Sequence, residues 1–356
     1  MQIGLIGLPQ AGKKTLLRLL TGVDASAAAP DRNGAVPGIC PVRDPRIERL
    51  VGMYKPAKTT PATIQYLLLP DLTNDSSKNQ GFFSALLGVD ALACVVRAFA
   101  DDTVFHVHGS VDPMRDIDAI QAELLLNDLL FVEKRLERLA KESLKKGGAE
   151  REREQALYQR LQAHLNDNHP LRTMTIEPQE QKLLTSAPLL TRKACLIVLN
   201  LGESDLQNPK LAEEVARRCA GQQVAVVRLS AKIEGELAQL EPAERQAFMK
   251  ELGITEPAID GLTRVSYDAL GLISYFTVGP DEVRAWTIRR GALAPEAGGA
   301  IHSDIERGFI RAELIKYDDL LSLGSEQAVA AAGKSHLKGK DYLVEDGDIL
   351  NFRFNV

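Results

Sequence analysis

No apolar run in this sequence approaches the ~20 residues needed to cross a bilayer, so it does not read as a helical membrane protein. No basic n-region precedes the first apolar stretch, and Met1 to Gly7 therefore reads as mature strand, not as a signal peptide; the expected compartment is the cytoplasm. The four cysteines, Cys40, Cys94, Cys195 and Cys219, fall singly, without CxxC or Cys/His clustering. That excludes a disulfide framework and a zinc site and leaves small buried hydrophobes as the expectation. Nor is there an excess of positive charge. Lys and Arg number 43 against 48 Asp and Glu, a net −5, so DNA is not an expected partner and an RNA contact needs a local basic patch. What is present is a globular composition, 45% apolar and 26% charged, in 356 residues. A chain of that length outgrows one ordinary core and predicts two or three domains.

The first apolar run, Gln2 to Ile6, meets Gly7 and opens at Lys13 into a leucine-rich helical stretch, giving strand, loop and helix in order. Ile64 to Leu69, Ala91 to Val96, Cys195 to Leu199 and Val224 to Leu229 are further buried-strand candidates, separated by polar or helical sequence. This predicts a mostly parallel, doubly wound α/β sheet. Between the third and fourth of these strands, Leu125, Leu129, Val132, Leu136 and Leu139 alternate four and three apart, a heptad seam. It breaks at Gly147-Gly148, and Leu157, Leu161 and Leu165 continue in step, which predicts an inserted antiparallel helical hairpin. Lys134, Arg135, Arg138, Lys141, Lys145, Lys146, Arg151 and Arg153 gather near its tip. They read as a solvated face, or as a patch for a phosphate backbone. Helices are expected near Pro242 to Glu251 and Ile259 to Leu272. Beyond them the pattern turns to short β-prone runs at Tyr275 to Val278, Val283 to Ile288, Tyr342 to Val344 and Ile349 to Phe354, an independent α+β module of about 80 residues.

Chemistry concentrates in the loops that follow the strands. Gly7-Leu8-Pro9-Gln10-Ala11-Gly12-Lys13 is the GxxxxGK of a P-loop, placed after a strand and at a helix N-terminus. There the glycines turn backbone amides inward around phosphate, the helix dipole adds positive potential, and Lys13 reaches the β- and γ-phosphates. The next position, where the pattern places a Ser or Thr that ligates Mg²⁺, is Lys14. Either a second ammonium offsets phosphate charge or Thr15 takes the ligand role, and neither follows from the pattern. Asn200-Leu201-Gly202-Glu203 follows a buried strand where P-loop GTPases place Asn-Lys-x-Asp. An Asn pairs with adenine N6 and N7, and loss of the final Asp removes the acceptor for guanine, which favours ATP over GTP. Ser230-Ala231-Lys232, directly after the Val224 to Leu229 run, matches the loop packing on the base from the other side.

With these residues in view the chain resembles the Obg-like ATPase (YchF) family over essentially its whole length. The match rests on the three loops above and on Asp44-Pro45-Arg46, Val95-Val96-Arg97-Ala98-Phe99, His106-Val107-His108-Gly109 and Asp116-Ile117-Asp118. It extends to Val283-Arg284-Ala285-Trp286-Thr287, Phe309 to Ala312, Gly339 to Tyr342, and Asp346-Gly347-Asp348 through Val356. The resemblance implies a P-loop G domain of the TRAFAC type over residues 1–118 and 191–273, a helical coiled-coil insert over 119–190, and a TGS domain of β-grasp fold over 274–356. In the last of these Trp286, Phe309 and Tyr342 are expected in the core. It also implies ATP preference, ribosome association and a role in translation or stress, with a histidine of an HVxG loop positioning water. The matching residue is His106, whose bland alternative is a loop-capping histidine.

The chain departs from the family where hydrolysis is assembled. The family's switch II Asp falls at Leu68, with Asp71 the substitute three residues later, and its metal-associated Thr falls near Arg32. Phosphoryl transfer depends on positioning and charge neutralisation, so these changes predict weakened or lost hydrolysis and give Mg²⁺ only Thr15 and Asp71 as candidate ligands. Three readings stay open: a nucleotide-sensing protein with a ribosomal or other RNA–protein partner, an ATPase with rewired metal ligands, and a scaffold that binds no nucleotide.

Overall fold

The computed structural model describes residues 1–73, 79–143 and 148–355. In chain order the strands are β1 Gln2–Ile6, β2 Val36–Pro41, β3 Lys58–Thr60, β4 Thr63–Leu68, β5 Ala91–Ala98, β6 Ala194–Leu201, β7 Val224–Leu229, β8 Leu272–Thr277, β9 Glu282–Arg289, β10 Phe309–Lys316, β11 His336–Lys338 and β12 Asp348–Phe354. They form two six-stranded sheets, and the chain divides into two compact units: Met1–Gly38 with Gln65–Gly261, and Ile39–Ile64 with Leu262–Val356.

The first sheet runs β2-β4-β1-β5-β6-β7, with β4, β1, β5, β6 and β7 mutually parallel. β5 and β6 are buried almost end to end, as strands covered on both faces must be. Their apolar side chains, with Ile6, Phe82, Leu86 and Ile117, make the core. All four cysteines are buried, and the sulfurs of Cys94 and Cys195 lie 3.7 Å apart across β5 and β6. Because β1 has β4 on one side and β5 on the other, strand order reverses at its C-terminal end, where open parallel sheets form a crevice.

The helices Pro113–Ser143 and Ala149–Asn166 lie between β5 and β6 in the chain. Val132 and Leu139 of the first bury against Leu157, Leu161 and Leu165 of the second, while Leu125, Leu129 and Leu136 are partly buried beside them. Each full apolar burial is worth roughly 1.5–3 kcal/mol, which is why the leucine seam selects this pairing. Asp128, wholly buried on the long helix, accepts from Leu190 N, Thr191 N and Thr191 Oγ1, each at 2.7 Å. Burial pushes its carboxyl up to about 6, the three donors offsetting part of that effect. Of the basic residues near the tip, Lys145 and Lys146 lie outside the described residues, as does Gly147.

The second sheet runs β11-β10-β12-β8-β9-β3. β8–β9, β10–β12 and β10–β11 are antiparallel; β12–β8 and β3–β9 are parallel. Tyr275 and Trp286 stack with centroids 6.5 Å apart, and Phe309 meets Phe352 edge-on at 6.2 Å, so the aromatic residues close a core with Leu314 and Leu350. The Tyr342 hydroxyl donates to Asp348 Oδ2 at 2.8 Å. Two sequence motifs 300 positions apart meet here. Arg46 sends Nη2 to Asp44 Oδ2 at 2.7 Å and Nη1 to Asp346 Oδ2 at 2.8 Å, with its guanidinium 5.2 Å from the Phe276 ring centroid.

Some expectations need correction. Tyr342 to Val344 is not a strand: Leu343 makes an isolated bridge to Leu293, and Val344 N donates to Ala292 O, so the run braces the turn before the helix Ala294–Ile301 instead of joining the sheet. The helix near Ile259 is Ala258–Ala269 and gives way at Gly271, with φ +62°, to β8 at Leu272. Apart from those corrections, residues 39–64 group with Leu262–Val356 in one compact unit, and their β3 lengthens its sheet.

Candidate functional site

The loop between β1 and the helix Lys13–Thr21 takes its shape from two close approaches. Gly7, at φ +150°, faces Val95 O across β5, where a Cβ would lie 2.3 Å from that oxygen. Gly12, at φ +96°, faces the Asn200 amide, where a Cβ would lie 2.2 Å from Nδ2. Only glycine satisfies both positions. Gln10 between them also adopts positive φ, +62°. Gly12 is the N-cap, and the first-turn N–H groups of the following helix have no partner within it, so loop and helix dipole together present donors and positive potential.

Lys13 is 4% exposed, and its ammonium donates to Gly7 O at 2.8 Å and Leu8 O at 2.5 Å and pairs with Asp71 Oδ1 at 2.8 Å. Burial pulls its pKa down from the ordinary lysine range, and the Asp71 carboxylate pulls it back up. Gln10, Gly12, Lys13, Lys14, Thr15 and Asp71 line a cavity of about 530 Å³ with Pro30, Gly34 and Leu68.

A second group bridges loops. Asn200 Nδ2 donates to Ala11 O at 3.0 Å, and its Oδ1 accepts from Ala231 N at 3.0 Å, with the side chain 4% exposed. One N–H and one lone pair of Asn200 thus clamp the Gly7–Lys13 loop to Ser230-Ala231-Lys232, and its second N–H and second lone pair stay available for the expected base contact. Ser230 is buried and caps the helix Ala231–Leu237 by accepting from Ile233 N. Leu201 belongs to the sheet core, whereas Glu203 and Lys232 are exposed.

His106 directs its hydrogen bonds to neither group. Its Nδ1 accepts from His108 N at 3.1 Å and its Nε2 lies 2.9 Å from Asp116 Oδ2, which makes it the Nε2–H tautomer with both ring nitrogens engaged. It is 6% exposed, and in this arrangement it braces the loop. The brace that sequence reading missed is Arg97. Its guanidinium donates to the carbonyls of Phe99, Asp101, Val104 and Phe105 and winds that loop around itself. Its signal was an arginine at the end of an otherwise apolar strand run.

Mg²⁺ chemistry asks for oxygen ligands at near-octahedral geometry. Position 14 offers an ammonium, Leu68 offers none, and the Asp71 carboxylate is engaged by Lys13, which leaves the Thr15 hydroxyl; this donor set fits the metal poorly.

A glycine-bent loop and a helix N-terminus at the reversal point of a parallel sheet define the P-loop NTPase class. Residues 272–355 match the family model YchF-GTPase_C, described as a protein of unknown function (DUF933). Over 362 residues the chain is 41% identical to the "Ribosome-binding ATPase YchF" of Bacillus subtilis (strain 168), covering 99% of each. It is 37% identical over 373 residues to "Obg-like ATPase 1" of Rattus norvegicus, covering 100% of this chain and 93% of that one. The solved structure of the Schizosaccharomyces pombe YchF GTPase matches with a TM-score of 0.85 at 33% identity, covering 99% of this chain and 97% of that one. The chain belongs to the YchF/Obg-like ATPase family.

Proposed function

We propose that this chain binds an adenine nucleotide at the Gly7–Thr15 loop, associates with ribosomes or a similar RNA–protein particle, and turns its nucleotide over weakly or not at all. The observation that carries the reading is the cavity of about 530 Å³ on which the loop, the helix start, Lys13 and Lys14 converge, a volume within the usual range for small-ligand sites. ATP in preference to GTP is supported by the names of the ATPase relatives and by Glu203 in place of an Asp, and Asn200 keeps one N–H and one lone pair for adenine beside its two clamp bonds. Weak turnover is supported by Lys14 at the metal-ligand position, by Leu68 at the switch position and by the engagement of both His106 nitrogens. In this reading residues 1–118 and 191–273 act as the nucleotide domain. The names of the ribosome-binding relatives support the particle as partner, and in this reading the helical insert, 119–190, as a coiled coil with its basic tip, and residues 274–356, as a TGS domain, face it.

Calorimetric titration with ATP and GTP, with and without Mg²⁺, tests the reading. ATP-selective binding indifferent to Mg²⁺, lost by at least about 100-fold in Lys13→Ala, is the expected result. Mg²⁺-dependent phosphate release that Lys13→Ala abolishes would instead identify an ATPase with rewired ligands. Failure to bind either nucleotide would leave a scaffold.

A further inference from the structure

We infer that Asp71 sets which phosphate form the loop accepts: its carboxylate takes the place of a terminal phosphate on Lys13, so the site holds a nucleoside diphosphate more tightly than the triphosphate. This rests on the nucleotide-binding reading above and adds to it the number of phosphates.

A lysine ammonium has three protons to donate, and at Lys13 each has an acceptor: Gly7 O at 2.8 Å, Leu8 O at 2.5 Å and Asp71 Oδ1 at 2.8 Å. Two of these are backbone carbonyls of the loop itself and cannot leave without unmaking it. The third is a side chain, and it is the one a γ-phosphate must displace. Asp71 is also no loosely tethered anion. Leu69 and Leu72 on either side of it are 2% and 3% exposed, both buried in the sheet core. Leu69 N donates to Leu5 O at 3.2 Å. Thr73 is held from both sides by Asn79, which accepts from Thr73 N at 3.1 Å, donates to Thr73 O at 2.9 Å and is wholly buried. The backbone thus keeps the carboxylate against the loop, with the Asp71 side chain 51% exposed and lining the cavity.

A β-phosphate is met by the backbone amides of the loop and the helix start, and it leaves the third ammonium proton with Asp71. A γ-phosphate brings further negative charge toward a fixed carboxylate and must break a charge-assisted hydrogen bond to reach Lys13. Losing such a bond corresponds to a factor on the order of 10–100 in affinity. Mg²⁺, which elsewhere relieves this repulsion, finds few oxygen ligands here.

The test is calorimetric titration of the full-length protein with ADP and with ATP, comparing the wild type with Asp71→Asn and Asp71→Ala, in chelator and in Mg²⁺. Asp71→Asn keeps the shape of the side chain and removes its charge. The expected result is that the wild type favours ADP by about tenfold or more and that both variants move the ratio toward ATP by a similar factor, chiefly through ATP. An ADP-to-ATP ratio unchanged in both variants overturns the inference. So does a loss of ATP affinity on Asp71→Asn that appears only with Mg²⁺, which would make Asp71 a metal ligand. Wild-type protein that binds neither nucleotide would instead remove the nucleotide reading itself, and the inference with it.

Discussion

Replacing Asn200 by Ala measures what the clamp contributes apart from any contact with the base. The side chain is 4% exposed and satisfies two backbone groups from distant segments, Ala11 O and Ala231 N, each at 3.0 Å. Truncation strands a buried carbonyl and a buried amide, each costing about 1–3 kcal/mol, so the range is about 2–6 kcal/mol. Water entering the space left by the amide moves the cost toward the lower end, and we expect a loss of about 3 kcal/mol. Urea unfolding of the nucleotide-free protein, followed by far-UV circular dichroism, measures it, and amide exchange at Ala231 reports the local effect. Protection there should fall by on the order of 100-fold, and ATP and GTP affinities should both fall. If the nucleotide-free protein keeps its stability to within about 0.5 kcal/mol and only the ATP-to-GTP ratio changes, the clamp is refuted and Asn200 reads the base.

Arg46→Ala should destabilise the second unit by about 3 kcal/mol in urea melts, because it leaves two carboxylates, Asp44 and Asp346, without their shared cation; Arg46→Lys should recover less than half, since an ammonium cannot fork to both. Asp128 makes stability depend on pH. Its carboxyl is raised to about 6 from an ordinary 3.8, so the folded state holds the proton more tightly, and the contribution is complete below about pH 4 and lost as pH rises through about 6. The stability difference between wild type and Asp128→Asn, from melts at pH 4 to 7, should therefore shrink by up to about 3 kcal/mol with rising pH; a flat difference would refute the assignment.

The phosphate loop was legible because its chemistry is local: glycines, a lysine and flanking apolar periodicity lie within one short stretch, and the backbone obeys them. The buried strands of the first sheet were legible for the same reason, since continuous apolar runs such as Cys195 to Leu199 have few other uses. β10 carries Arg311, Glu313 and Lys316 among its apolar residues, so its period is diluted, and β3, Lys58–Thr60, has no apolar residue at all; only its partner β9 makes it a strand. Asn200 could be placed at its loop but not aimed, because its direction depends on Ala11 and Ala231, 189 and 31 positions away. The Arg46 cluster had both its halves on view as motifs, and nothing in either stretch said that they touch.

The placement of β3 also sets a clock on synthesis. Thr60 bonds Glu282, 222 positions later, and β3 has no other strand to pair with in the second sheet. At about 5–20 residues per second, residues 39–64 emerge roughly 10–45 s before β9 exists to receive them. A chain cut anywhere between the two strands would carry an early segment whose partner is never made. The second unit is therefore assembled from an early and a late part of this sequence, and its folding waits for β9 and β12 to emerge.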